Sequence, residues 1–330
     1  MPVHNAASTL AAAVDSLFRQ TEPGWELIAV DDGSTDASGA ILDAYARRDR
    51  RVRVIRAGRR GLVWALNAGL SAARGPLVAR LDADDVCLPE RLARQREHLE
   101  SSPAVGVIAS RVCFGGDPER AAGYARYVSW TNRLLTHEDI SLARFVESSL
   151  AHPSVMFRRT LVERHGAYAD GDFPEDYELW LRWLEAGVRM EKLAAPLVVW
   201  NDSPTRLSRC DHRYAQEAFS RLKARYLARW LSGHNRHHPA VLVWGAGRIT
   251  RKRAQPLVDE GIAIQAFIDI DPFKVGRRIA GRPVLAPAEL PSPATSFVVS
   301  YVGSSDAREQ IARELEGAGY RCGTSYILAA

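Results

Sequence analysis

Apolar residues along the first 115 positions of the chain alternate between two rhythms. Short apolar runs, "WELIAVDD", "RVRVIRA", "PLVARLDADD" and "AVGVIASRVCF", predict strands. Between them, "AASTLAAAVDSLFRQ", "DASGAILDAYARRD", "GLVWALNAGLSAA" and "LPERLARQREHLES" carry apolar positions at helical spacing, the first with Ser8 as its expected cap. Strand and helix in alternation imply right-handed crossovers and a parallel, doubly wound sheet, with ligands at the carboxyl ends of the strands. Residues 116–150 show no clear period. Beyond them, "HPSVMFRRTLVERHG" predicts a short strand and a helix. "PEDYELWLRWLEAG" predicts an amphipathic helix with Tyr177, Leu181 and Leu184 on one face, and Trp180 and Trp183 read as core packing.

A basic helical stretch over about 211–232 leads into the polar joint "SGHNRHHP", after which the rhythm restarts. "AVLVWGAGRITRKRAQPLVDEG" reads as strand, Gly-rich turn and helix. "IAIQAFIDIDP" and "ATSFVVSYVG" read as strands and "DAREQIARELEGAG" as a helix. The expected organisation is a first domain over 1–205, a basic helical segment and linker over 206–238, and a smaller α/β domain over 239–330.

Composition narrows the class. A chain of 330 residues with 46% hydrophobic and 25% charged residues is globular rather than disordered, and long enough for two domains. The net charge of +5 is modest, but Arg and Lys outnumber acids between Arg206 and Arg253. That run fits anionic lipid, a phosphorylated substrate or simply a solvated helix, and these readings stay open. It lacks the aromatic interleaving of single-strand binders, so no nucleic-acid partner is expected. Cys87, Cys113, Cys210 and Cys322 are scattered, which disfavours a zinc site or disulfide framework and fits a reducing cytosol. No apolar run reaches the ~20 residues of a membrane span, and "MPVHNAAST" lacks the build-up of a signal peptide. The expected location is the cytoplasm, with peripheral contact at the inner membrane face.

The candidate chemistry sits in two acidic clusters, Asp31-Asp32 and Asp82-Asp84-Asp85, both at predicted strand carboxyl ends. Like charges this close repel one another. They could cap the helix opened by Pro89, stand in a solvated loop, or hold a hard divalent cation, which takes oxygen ligands and keeps positions for water and phosphate. One Asp suffices for a cap. Further on, Glu175 and Asp176 follow Pro174, either as first-turn helix acids or as functional carboxylates.

With these residues in view, the chain resembles the family 2 glycosyltransferases. "MPVHNAASTLAAAVDSLFRQTEPGWELIAVDDGSTDAS" is similar to their P-x-x-N, Q-T and V-D-D-G-S-x-D opening. "GLVWALNAGLSAARGPLVARLDADDVCLPERL" resembles the run into their D-x-D motif, and "HPSVMFRR" and "EDYELWLRWLEAG" resemble their later acceptor and E-D motifs. The likeness spans roughly residues 1–200. It implies a GT-A type doubly wound mixed sheet, here followed by a smaller Rossmann-like α/β domain. It also implies inverting transfer from a nucleotide-diphospho-sugar, most commonly UDP-linked, to a glycan or lipid-linked acceptor, assisted by Mg²⁺ or Mn²⁺.

Carried over by position, Pro2, Val3, Asn5, Asp31 and Asp32 would line the nucleotide, and Arg60 the base or diphosphate. Asp82 would stand by the ribose or the metal's water, and Asp84 would ligate the metal. Asp176 would be the general base, with Glu175 beside it, and His152 could line the acceptor side. Neutralising the departing diphosphate and deprotonating the acceptor are the two tasks such transfer sets. The chain departs from the family in starting at Met1-Pro2, which omits most of a first strand expected to be central, so buried backbone groups would lack partners. It also has His4 where an aromatic is usual.

"VLVWGAGRIT", followed about 20 residues later by Asp269 and Asp271, has the outline of a dinucleotide turn and ribose acid, although Thr250 replaces the third glycine. Nucleotide binding, a docking module and a second activity stay open for this domain. Rival readings of the whole chain are a non-catalytic nucleotide-sugar binding protein, an NAD-linked oxidoreductase or sensor acting through Gly245 and Gly247, and a nucleotidyltransferase.

Overall fold

Each apolar run of the first half contains a strand, and the most continuous runs are the most buried. Leu27–Asp32 is buried at every position, as a strand covered on both faces must be. The computed structural model describes residues 1–203 and 206–330. It divides into one unit of Met1–Ile140 and Ser149–Asp211, and another of Ser141–Ser148 and His212–Ala330.

The first unit opens with β1 (Pro2–Val3), α1 (Leu10–Phe18), β2 (Leu27–Asp32), α2 (Ser38–Arg48), β3 (Val52–Ala57) and α3 (Leu62–Ala72). It continues through β4 (Leu77–Ala79), β5 (Val86–Cys87), α4 (Arg91–Ser101), β6 (Val105–Phe114), α5 (Ala122–Thr131) and α6 (His137–Ala143). Then come β7 (Met156–Arg158), α7 (Thr160–His165), α8 (Glu175–Glu185), β8 (Arg189–Trp200) and the short α9 (Leu207–Cys210). The second unit follows with α10 (Gln216–His234), β9 (Ala240–Trp244), α11 (Arg248–Asp259), β10 (Ala263–Ile268), β11 (Arg278–Ile279), β12 (Arg282–Leu285), β13 (Val298–Ser300), α12 (Ser305–Gly317) and β14 (Tyr326–Leu328).

The architecture is α/β throughout. In the first unit, β1-β2-β3 form a parallel sheet, and β4-β7-β6-β8-β5 form a mixed one. β7 runs antiparallel to both β4 and β6, while β6 and β8 run parallel, so the sheet is mixed rather than wholly parallel. The second unit has a six-stranded sheet, β11-β12-β10-β9-β13-β14, parallel except for β11.

Four local expectations change. Ser8 does not cap α1. Thr9 holds the N-cap position without a side-chain cap, and the turn before it is tied to α2 instead, the Ala6 and Ala7 N–H groups donating to Ser38 Oγ at 2.8 Å and Asp36 Oδ2 at 2.9 Å. "PLVARLDADD" is a strand only to Ala79, after which the chain turns and the acids lie past the strand end. The segment after α8 holds the twelve-residue β8, and residues 116–150 hold α5 and α6. β1 is the edge of its sheet, not a central strand, and the Met1 amino group donates to Ile28 O. A largely apolar cavity of about 730 Å³, lined by Met1, Ile28, Leu66, Leu77 and Phe157 among others, lies beside that edge.

The largest core of the first unit packs α8 onto β6 and β7. Tyr177, Leu181 and Leu184 are buried as expected, and so are Leu179, Trp180 and Trp183. The Trp180 and Trp183 rings meet edge to face at 5.7 Å, and Trp183 meets Phe157 at 5.2 Å. This packing fixes the start of α8, where Glu175 and Asp176 stand. Trp183 is 0% exposed, so Trp183→Ala should cost ~3–5 kcal/mol of unfolding free energy in a denaturant titration.

Candidate active site

Three chain segments meet at the carboxyl ends of the first unit's strands. The first is the end of β2. Asp31 accepts from the Ser34 N–H at 3.0 Å, which closes the turn after the strand. Gly33 holds φ +71, and a Cβ there would lie 2.8 Å from the Arg59 backbone nitrogen, so glycine is required. Asn5, at φ +48, clamps the same turn: its N–H donates to Ser34 Oγ at 3.0 Å, and its Oδ1 accepts from the Thr35 N–H at 2.8 Å. Pro2 and Val3 lie in register with Val30 and Asp31.

Asp32 faces elsewhere. Its two oxygens accept from the Arg60 N–H at 2.7 Å and the Gly61 N–H at 2.9 Å, so it holds the turn that leads into α3. The Arg60 guanidinium lies 4.8 Å from the centre of the Trp64 ring, folded onto its own helix. The structure thus makes Asp32 and the Arg60 backbone one latch between strand and helix.

The second segment is the acidic loop. Arg80 is buried and its guanidinium holds Asp82 Oδ1 at 2.5 Å. Burial would raise the Asp82 carboxyl, but the surrounding basic groups, Arg80 foremost, together hold it below its ordinary value. Asp84 and Asp85 lack such a partner. Burial first, and then Asp82, push Asp84 up. Burial, Asp82 and Asp84 push Asp85 far up. Asp85 Oδ1 accepts from the Asn201 N–H at 2.8 Å, while its buried Oδ2 has no hydrogen-bond partner. Asn201 Nδ2 donates to Asp84 O at 2.6 Å, so the end of β8 holds the loop from both sides. From beneath, the buried Arg91 of α4 donates to Arg80 O at 2.7 Å and Val155 O at 3.2 Å.

The third segment is the start of α8. Glu175 is buried and Asp176 half-buried. Burial, and then the neighbouring Glu175, push the Asp176 carboxyl up to about 8. Arg80 and Asp82 both act on Asp176, so the loop and the helix start share one electrostatic site. Tyr168 stands among them, influenced by Arg80, Glu175, Asp176 and Asp82, and its hydroxyl pairs with His152 Nε2 at 2.7 Å. Burial and Arg80 hold His152 well below its ordinary pKa, and its ring pairs with the Tyr168 hydroxyl. Asn67 of α3 brackets Tyr168, accepting from its N–H and donating to its carbonyl.

Arg80 and Asp82 therefore link the acidic loop to Glu175 and Asp176, and Asp82 in turn acts on Asp84. Both oxygens of Asp32 are engaged by the turn before α3. Sequence reasoning missed Arg80, Asn201, Tyr168 and Arg206. Arg206 acts on all three loop acids, and its guanidinium lies 4.0 Å from the Trp200 ring centre. It lies 3.8 Å from Asp202, which Arg209 holds more closely at 2.6 Å. The buried Arg80 directly before "LDADD" was the one signal within reach.

Could the loop hold a divalent cation? No group of three or more His, Cys, Asp or Glu side chains among the described residues is arranged to hold one alone. The unpartnered Asp85 Oδ2 and the raised carboxyls of Asp84 and Asp85 nevertheless mark a loop short of positive charge. That fits a cation of the Mg²⁺ type, held by one or two carboxylates and completed by substrate phosphates.

The Gly-rich turn of the second unit is closed by its own residues. Gly245 holds φ +103, and the Thr250 side chain lies 2.8 Å from where its Cβ would stand. Asp269 accepts from the Ala246 N–H at 2.8 Å, the Asp271 N–H at 3.0 Å and Lys274 Nζ at 3.3 Å. A carboxylate so engaged anchors the turn.

Comparisons with known proteins assign the chain a family. The family model "Glycosyl transferase family 2" matches residues 1–166. The amylovoran biosynthesis glycosyltransferase AmsE of Erwinia amylovora is 33% identical over 179 residues, covering 54% of this chain and 65% of that protein. The O-antigen biosynthesis glycosyltransferase WbnJ of Escherichia coli is 28% identical over 203 residues, covering 60% and 76%. An uncharacterized glycosyltransferase of Bacillus subtilis, EpsJ, is 29% identical and covers 66% and 64%. The chain spans about three-fifths of the length of several such relatives, between 56% and 65%. Among solved structures, S. aureus TarS 1-349 in complex with UDP-GlcNAc aligns with a TM-score of 0.51 at 13% identity, over 78% of this chain and 77% of that one. That likeness is one of fold, and the fold is of the GT-A type.

The Asp176 carboxyl sets a stability test. A group raised from 3.8 to about 8 stabilises the fold while protonated, fully so below its unfolded value, and that contribution is lost as pH rises through 8. Asp176→Asn removes the charging cost. It should raise Tm by about 2–4 °C relative to wild type near pH ~9, and by much less near pH ~4. Calorimetric melts at the two pH values check this.

Proposed function

The chain belongs to glycosyl transferase family 2, and on that premise we propose that it transfers a sugar, with inversion, from a nucleotide-diphospho-sugar to a hydroxyl group of a growing polysaccharide or lipid-linked glycan. The observation that carries the reading is the pairing of a charge-deficient acid loop, Asp82 to Asp85, with a raised carboxyl at Asp176 in one electrostatic site. The two places match the two tasks of such a reaction. Relatives whose names assign them to O-antigen, amylovoran and succinoglycan biosynthesis support a polysaccharide acceptor. We take UDP as the nucleotide by family resemblance.

In this reading Asp31, with Asn5 shaping its turn, lines the nucleoside side, and Asp82, fixed by Arg80, faces the ribose. A divalent Mg²⁺ or Mn²⁺ held by Asp84 would supply Lewis-acid neutralisation of the diphosphate when bound. Arg206 adds fixed positive charge over the same loop. Asp176 accepts the acceptor's hydroxyl proton as that oxygen attacks the anomeric carbon, and the bond to the nucleoside diphosphate breaks on the opposite face. Burial, and then Glu175, raise the basicity of Asp176. Because the carboxylate is the active form, kcat should rise with pH and level off above pH ~8.

Isothermal titration with a UDP-sugar tests the assignment. Donor binding should strengthen with Mn²⁺ and lose that gain in Asp84→Asn. Asp176→Asn should keep donor binding and lose transfer by ~10²–10⁴-fold. Equal affinity with and without metal for every donor tried, or full turnover in Asp176→Asn, would overturn the scheme.

A further inference from the structure

Among the described residues, four large apolar side chains are exposed: Leu207 at 41%, Ile249 at 68%, Ile270 at 69% and Phe273 at 78%. Three of the four lie on two adjacent turns of the second unit. Ile249 is in the first turn of α11, directly after β9 and its Gly-rich turn. Ile270 and Phe273 follow β10. β9 and β10 are parallel neighbours in register, Trp244 opposite Ile268, and the Gly245 N–H donates to Ile268 O at 2.7 Å. Both turns therefore leave the sheet at the same end and side by side.

The surroundings are cationic. Residues 245–253 and 269–278 carry seven Arg and Lys against two acids, Asp269 and Asp271. Both acids are engaged by Lys274, at 3.3 and 3.1 Å. Arg248, Arg277 and Arg278 are exposed beside the apolar tips.

We propose that this end of the second unit's sheet docks on an anionic phospholipid surface, with Ile249, Ile270 and Phe273 entering the headgroup region and the arginines meeting lipid phosphates. A side chain that keeps two-thirds or more of its surface open stands clear of its loop, and a bilayer accepts such a wedge without a shaped pocket. Basic residues around apolar anchors add electrostatic attraction to anionic lipid, and guanidinium groups bind phosphate in a fixed fork. No helix among the described residues is long and apolar enough to cross a membrane, so the contact is interfacial. The inference does not depend on the transfer chemistry of the first unit.

The test is co-sedimentation of the full chain with large vesicles of phosphatidylcholine, with and without phosphatidylglycerol, at low and high salt. Binding should require phosphatidylglycerol, weaken with salt, and fall by ~10-fold or more in the double variant Ile270→Ser, Phe273→Ser. The double variant Arg248→Ser, Arg277→Ser should weaken it separately. Melting curves matching wild type would show that these exposed positions leave the fold intact. Failure to pellet with anionic vesicles at low salt overturns the proposal, as does binding unchanged in both double variants. A wild-type dimer in sedimentation velocity that the Ile270→Ser, Phe273→Ser variant dissolves, without vesicle binding, would assign the patch to a second copy and overturn it too.

Discussion

Crowded negative charge is the constraint around which the first unit is arranged. Asp82, Asp84 and Asp85 fall within four residues, and the fold supplies Asp82 with the buried guanidinium of Arg80. The other two carboxyls rise because burial and like charge both disfavour ionisation. The backbone of the loop does not share that imbalance. Arg91 holds it from α4, and Asn201 holds it from the end of β8. A loop with a pinned backbone and uncompensated side chains is pre-organised for a positively charged ligand assembly, and it needs little rearrangement to receive one.

The reach from that loop to Asp176 is a property of sheet topology. β7 returns antiparallel between β4 and β6, which brings His152 and Tyr168 to the strand that leads into the acids. α8 then packs through Trp180 and Trp183 onto the same sheet and presents its first turn to Arg80. The bulky aromatic core thus works as positioning for a carboxylate that itself touches little of it. Asn67 extends the same logic from α3, bracketing Tyr168 through two hydrogen bonds.

The second unit uses a similar strand–turn–helix start and reaches a different end. Thr250 fills the space a third glycine would leave open, and Asp269 anchors the turn through Ala246, Asp271 and Lys274. What remains unmatched there is apolar and cationic surface rather than an acid awaiting a ligand.

Much of the fold was legible because burial imposes periods on the chain. The runs at Leu27–Asp32 and Val105–Phe114, and the helices between the strands, were visible as alternating rhythms, and the order of the acid motifs marked the family. β8 was not, because its apolar positions are interrupted by exposed and half-buried residues and its pairing with β6 carries register shifts. The separate fates of Asp31 and Asp32 were not legible either, since two adjacent aspartates look alike until one meets the N–H groups of Arg60 and Gly61. The sequence by itself determined the α/β class, the family and where carboxylates crowd, because these follow from local composition and spacing. Only the tertiary structure decided which carboxylates are paired and which are raised, because those properties depend on burial and on hydrogen bonds and charges brought in from residues more than 110 positions away, such as Asn201 and Arg206.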